Sequence, residues 1–165
     1  MLLCYRLPRE PSSPRVAVWR RLRALGVAQL ADSVVALPAD ARTREQLEWA
    51  AQTVIEAGGS AGVWLARPAT TAQERELAES MTTARAAEYT ALRERAEDAA
   101  RGAAGRPEGA TAGQRVLRRL RGELRTIGRR DVFPPPQREQ ARQAIEVLGA
   151  ALRAPGSTTT EGVSR

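Results

Sequence analysis

Between residues 115 and 130 seven arginines stand against one acid, Glu123. Arg115, Arg118, Arg121, Arg125 and Arg129 recur at intervals of three and four, which on a helix gathers them on one face. Guanidinium groups in such a row suit a phosphate backbone: each planar fork matches a phosphate, and each contact releases a condensed counterion. Gly122 falls on the same polar face, where glycine costs a helix roughly 1 kcal/mol relative to alanine. It either lets a partner come close or is a tolerated weak spot. A second reading needs no nucleic acid. The acids of residues 74–98 (Glu74, Glu76, Glu79, Glu88, Glu94, Glu97 and Asp98) could neutralise these arginines across an antiparallel helical hairpin. The helix would then belong to a dimerising or scaffold module.

The amino-terminal stretch repeats the charge bias. Residues 5–26 hold six arginines and one acid, Glu10. Arg20, Arg21 and Arg23 lie on the wet side and flanks of a predicted helix, and join the candidate nucleic-acid surface. Arg15 falls in the first turn, where a cation opposes the helix dipole. With Arg9, Ser12 and Ser13 it forms a candidate site for a phosphate or another tetrahedral oxyanion. The net charge of +7 is correspondingly uneven: residues 1–37 carry +4, 38–109 carry −3, 110–130 carry +6, and 131–165 sum to zero. Two basic blocks around a mildly acidic one are compatible with a polyanionic partner.

Other chemistry is absent by composition. With no histidine and one cysteine, Cys4, the chain lacks a histidine-dependent triad, a Cys/His zinc site and a Cys–His nucleophile pair. Asp32 and Ser33 read as turn residues and Asp131 as a local backbone acceptor, so the chain is expected not to be an enzyme and to need no cofactor or metal. Cys4 can form no intrachain disulfide, "MLLCYRLP" lacks the pattern of an export leader, and no apolar run approaches a membrane span. A cytoplasmic protein with no membrane contact is expected. All 26 cationic residues are arginine, a bias that fits a GC-rich genome as well as it fits chemistry.

The elements that must position these residues follow from periodicity and punctuation. "LLCYRL" is a strand closed by Pro8. Ser13 is placed to cap a helix that carries Val18, Trp19, Leu22 and Leu25 inward and stops at Gly26. "VAQL" and "SVVAL" flank a tight connection, and Pro38 closes the second. Thr43 and Gln46 form a capping-box pattern before Leu47, Ala50, Val54 and Ile55, with Gly58-Gly59 at the end. "GVWLAR" is the fourth strand. The order βαββαβ is that of a ferredoxin-like domain, a four-stranded antiparallel sheet with two helices on one face. Leu3, Tyr5 and Leu7 should lie under the helices, and Leu2 and Cys4 on the open face. That face is only partly polar, so a homodimer is expected to cover it.

An all-helical extension follows. Thr71 and Glu74 open a helix running to about Arg101, with Leu77, Met81, Ala84, Ala91 and Leu92 as its apolar stripe. Residues 102–113 read as a connector. In the basic helix Val116, Leu120, Leu124 and Ile127 share the inward face, with Leu117 at its edge. After "FPPP", Pro136 starts a last helix with Ala141, Ile145, Leu148 and Leu152 inward. The fold class is therefore α+β: a ferredoxin-like domain over 1–68, a helical extension packed on it over 69–153, and a disordered tail over 154–165.

Several of these motifs carry a family resemblance. Leu7-Pro8, then Arg15, Val18, Trp19, Leu22 and Gly26, then Ser33-Val34, Leu37-Pro38, Glu48-Trp49 and Gly58-Gly59 resemble the N-terminal domain of the chromate-resistance regulator ChrB family. Tyr89-Thr90-Ala91-Leu92 and Asp131-Val132-Phe133-Pro134 extend the likeness, which covers roughly residues 2–152. More distantly, the first third is similar to the Cas2-like nuclease domain and to PaaX-type repressors. The resemblance implies a cytoplasmic transcriptional regulator of chromate-resistance genes that binds DNA and responds to chromate. Three departures stand beside it. Full-length members continue into a second domain, which is not expected within these residues, and PaaX-type repressors carry a winged helix ahead of this domain. The Cas2 nucleases place an acid where this chain reads Arg6-Leu7-Pro8, so nuclease activity is not implied.

Overall fold

The computed structural model describes residues 1–103 and 110–153. The expected tail over 154–165 and the middle of the expected connector, 104–109, lie outside the described residues. The described elements are β1 (Leu2–Arg6), α1 (Ser13–Leu25), β2 (Ala28–Ala31), β3 (Val34–Ala36), α2 (Ala41–Glu56), β4 (Ser60–Trp64), α3 (Thr71–Ala103), α4 (Ala110–Gly128) and α5 (Gln137–Ala151). They divide into two units. The first holds Met1–Ala84 with Arg130–Phe133, and the second the described part of Arg85–Arg129 and Pro134–Arg165.

The first unit is a mixed α+β layer. Its sheet is antiparallel throughout, in the order β2-β3-β1-β4. Leu3 sits opposite Val35 on one side and Val63 on the other, so these three share a face. Leu3 and Val35 are fully buried with Val18 and Leu22 of α1 and Leu47 and Val54 of α2. The opposite face carries Leu2, Cys4, Val34, Ala36, Gly62 and Trp64, as the strand period of two requires. Met81 and Leu77 of α3 belong to the same apolar cluster, and a cavity of about 790 Å³ lies among Leu2, Ala36, Leu77 and Met81. Ala36 is thereby closed off from water while Trp64 remains 61% exposed.

Capping differs from the sequence expectation in three places. Ser13 lies inside α1, and Ser12 precedes it with helical dihedrals that leave its hydroxyl unused as a cap. Asp40, not Thr43, caps α2. Its carboxylate accepts from the Thr43 N–H at 2.7 Å, and the Thr43 hydroxyl accepts from the Asp40 N–H at 3.1 Å. At α3 the cap is Thr70, whose hydroxyl accepts from the Gln73 N–H at 3.2 Å. In each case the helix begins one to three residues earlier than the box read from sequence. Gly26 closes α1 in the left-handed region at φ 77°, as its position predicts. Gly59 serves another purpose, since a Cβ there would stand 2.3 Å from the Arg6 carbonyl oxygen and 2.8 Å from Val54 Cγ1. Only glycine lets β4 enter the sheet against β1 and α2.

The second unit is helical and built on heptad seams. Tyr89, Leu92 and Ala96 of α3, Leu117, Leu120 and Ile127 of α4, and Ala141, Ile145 and Leu148 of α5 form one buried cluster, with Leu124 and Leu152 half-buried against it. This corrects two stripes. Ala84 and Ala91 are exposed whereas Tyr89 is fully buried, and the buried row also takes in Arg85, which pairs with Glu88 at 3.1 Å. In α4 the inward row is 117, 120, 124 and 127, while Val116 is 38% exposed. The helix also starts at Ala110, inside the expected connector.

Candidate functional site

The seam of α4 dictates where its charges go. With Leu117, Leu120, Leu124 and Ile127 inward, a 3.6-residue turn places Arg115, Arg118, Arg125 and Arg129 roughly opposite, with Arg121 on one flank and Glu123 on the other. All five of these arginines are exposed. Gly122 sits among them, and a Cβ there would meet nothing closer than Arg125 Nη2 at 4.0 Å.

Glu123 is engaged twice. Arg95 of α3 donates to Oε1 at 3.3 Å and also to Oε2, and Arg119 one turn earlier donates to Oε1 at 2.9 Å. The Arg95 hydrogen bonds hold the Glu123 carboxyl below its ordinary pKa, partial burial works against them, and Arg119 adds to the lowering.

The expected pairing of the α4 arginines with the acids of α3 is not found within the second unit. There no described carboxylate lies within ion-pair reach of Arg115, Arg118, Arg121, Arg125 or Arg129. The contact that joins α3 to α4 has the opposite polarity, an arginine of α3 on an acid of α4. Three of the α3 acids find arginines on their own helix instead: Glu88 with Arg85, Glu97 with Arg93 at 3.5 Å, and Asp98 with Arg101. Spacings of three and four residues bring such partners together without any long-range geometry.

On its other flank α4 meets α5, and sequence reasoning passed over what lies there. Arg125 of α4 and Arg129 just past its end line a cavity of about 620 Å³ with Arg138 and Arg142 of α5, over Leu124, Gly128 and the Pro134-Pro135 corner. Further along, an added Cβ at Gly149 would lie 3.4 Å from both Arg121 Nη2 and Arg153 Nη1, and 3.6 Å from Leu117. Arginines of both segments thus meet at two places along the α4–α5 seam. Arg142 is held in place by its own helix: Nε donates to Glu139 at 2.8 Å and Nη1 to Glu146 at 2.5 Å. The hydrogen bonding from Arg142 to Glu139 keeps the Glu139 carboxyl below its ordinary pKa. Residues 131–165 sum to zero charge, which hid these arginines. Their signal was positional, because 138, 142, 149 and 153 share one helical face.

In the first unit Arg20, Arg21 and Arg23 of α1 are exposed, and the Arg23 carbonyl accepts from Arg130 Nη1 at 3.1 Å. Arg9, Ser12, Ser13 and Arg15, in the loop before α1 and its first turn, are all exposed. The Arg15 guanidinium folds back to donate to the Pro8 carbonyl at 2.8 Å, which relieves its unfavourable place in the first turn. The residues expected to bind nucleic acid fall in two units, Arg20, Arg21 and Arg23 in the first and Arg115, Arg118, Arg121, Arg125 and Arg129 in the second. Among the described residues no group of three or more metal-ligating side chains gathers, and no helix is long and apolar enough to cross a membrane.

The first unit, a four-stranded antiparallel sheet with two helices on one face, and the second, a helical unit in which α4 carries a row of exposed arginines, define a basic α+β protein. Its family follows from sequence comparison. The family model described as Protein ChrB, N-terminal, matches residues 15–100, and the chain belongs to that family. No curated protein and no solved structure matches it.

Proposed function

We propose that this chain is a non-enzymatic, DNA-binding transcriptional regulator linked to chromate resistance, acting in the cytoplasm. One observation carries the reading: Arg115, Arg118, Arg121, Arg125 and Arg129 are exposed, with no described carboxylate of their unit in reach. Solvated arginines need no such alignment, whereas a phosphate backbone rewards it. Membership of the ChrB N-terminal family supports the regulatory role and supplies its link to chromate. Arg20, Arg21 and Arg23 add to the cationic surface. The order βαββαβ and the sheet order β2-β3-β1-β4 support a ferredoxin-like reading of residues 1–68, with 69–153 as its helical extension. Arg9, Ser12, Ser13 and Arg15 are our candidates for holding chromate or another tetrahedral oxyanion as effector. A homodimer completes the proposal, because Trp64 and Leu65 stand 61% and 73% exposed at the open sheet face and its edge.

The test is a DNA-binding titration on the natural upstream region over a range of salt, with and without chromate. Should about four α4 arginines contact phosphates, log K against log salt would slope at about −3.6. Replacing Arg118, Arg121 and Arg125 by Gln should weaken binding and flatten that slope, while the urea midpoint shifts by no more than about 0.5 kcal/mol in stability. A destabilised triple variant that binds DNA as before would instead favour a scaffold module with structural arginines. Chromate should alter binding by the parent chain and not by Arg15→Ala.

A further inference from the structure

We infer that the groove between α4 and α5 is the seat of the nucleic-acid backbone, and that α5 supplies half of it through Arg138, Arg142 and Arg153. The inference rests on the DNA-binding reading and goes beyond it, since that reading needs only α4. Three observations carry it.

First, the groove is an open depression with arginines on both sides, of which Arg142 is already paired with Glu139 and Glu146. A cavity of about 620 Å³ lies within the range of ligand-sized clefts, and Arg125, Arg129, Arg138 and Arg142 all border it. A convex row of arginines touches a phosphate from one side only; two facing rows can clasp it. Second, Glu139, the only acid on that lining, is already engaged. It accepts from Arg142 through both carboxylate oxygens and from Gln143 at 3.0 Å, so its charge is answered from within α5. Third, the groove has a defined track. Gly149 brings Arg121 and Arg153 side by side, so cationic groups continue from the Pro134-Pro135 corner along both helices. From Arg121 to Arg129 this is about 12 Å at 1.5 Å per residue, room for consecutive phosphates of one strand. The floor of Leu124, Gly128, Pro134 and Pro135 is apolar and fits the sugar edge between phosphates.

Arg142 is a positioning residue as well as a contact. Glu139 and Glu146 engage all three of its nitrogens and so fix the orientation of its guanidinium.

The experiment compares the full chain with two double variants, Arg138→Gln/Arg153→Gln in the groove and Arg115→Gln/Arg118→Gln on the outer face of α4. DNA affinity is measured against salt for each, beside its urea midpoint. The groove variant should bind more weakly, with a log–log slope flatter by about 1.8, from two phosphates at about 0.9 each. Binding by the parent with no change in the groove variant overturns the inference and leaves the DNA-binding reading standing. No binding by the parent overturns both. Phenylglyoxal modification of the unaltered chain gives a readout that does not depend on the fold of a variant. DNA should protect Arg138 and Arg153 from the reagent, and unprotected arginines overturn the proposal. Protection by inorganic pyrophosphate but not by DNA would assign the groove to a free phosphate ligand and overturn its assignment to a nucleic acid.

Discussion

Arg95 on α3 meets Glu123 on α4 through both terminal guanidinium nitrogens, one for each carboxylate oxygen. The pair lies on the flank of α4 away from α5, with side chains 45% and 32% exposed. It withdraws the only acid of residues 110–130 from the arginine face without neutralising any arginine opposite the seam.

Partial exposure limits what this pair contributes, to roughly 0.5–1 kcal/mol. Glu123 is held below its ordinary value of 4.5, chiefly by the Arg95 hydrogen bonds. A carboxylate with a depressed folded pKa stabilises fully above its unfolded value and loses that contribution as pH falls through the folded one. Glu123→Gln should therefore lower the urea midpoint at pH 7, and the gap to the parent should close as pH falls below about 4.5. A gap that persists or widens in acid would refute this role.

Leu120 and Val116 test the seam of α4. Leu120 is 2% exposed and Val116 38%. Leu120→Ala should cost about 2–5 kcal/mol through lost burial and a residual cavity, and Val116→Ala less than about 1 kcal/mol. Equilibrium urea unfolding of both variants reads the difference. Equal costs would return the inward row to the one expected from sequence.

Two glycines should respond in opposite directions. An alanine Cβ at Gly59 would collide with the Arg6 carbonyl oxygen, a backbone atom that cannot swing away. Gly59→Ala should destabilise the first unit by more than about 2 kcal/mol. At Gly122 the space is open and the position is helical, so alanine should stabilise by up to about 1 kcal/mol. If Gly122→Ala also weakens DNA binding, the glycine is there for close approach. If affinity is unchanged, it is a tolerated weak spot.

Sedimentation at micromolar concentration should show a species heavier than the 17.9 kDa monomer. Trp64→Ser should shift it toward that mass, because Trp64 folds over Gly62 on the open face, where a Cβ would stand 3.0 Å from the ring nitrogen. A monomer throughout would remove the dimer from the proposal.

Sequence alone determined the order of the elements, because the signals for it are local. Pro8 and Pro38 follow strands, Gly26 ends a helix through a positive φ, and periods of two and 3.6 separate strand from helix, although β4 ends at Trp64, well before Pro68. It also determined that the residues from 115 onward form a helix with a cationic face, since spacing by itself gathers Arg115, Arg118, Arg125 and Arg129. What it left open needed a partner surface. Val116 and Leu117 are equally apolar, and only packing against Leu92, Ile145 and Leu148 decided that Leu117 turns inward. The partner of Glu123 lies 28 residues away across a helix pair, beyond any spacing rule. The facing arginines of α5 cancelled against nearby acids in every charge sum. Tertiary structure set Arg138 and Arg142 across a cavity from Arg125 and Arg129, because a groove is made by two helices and belongs to neither sequence segment alone.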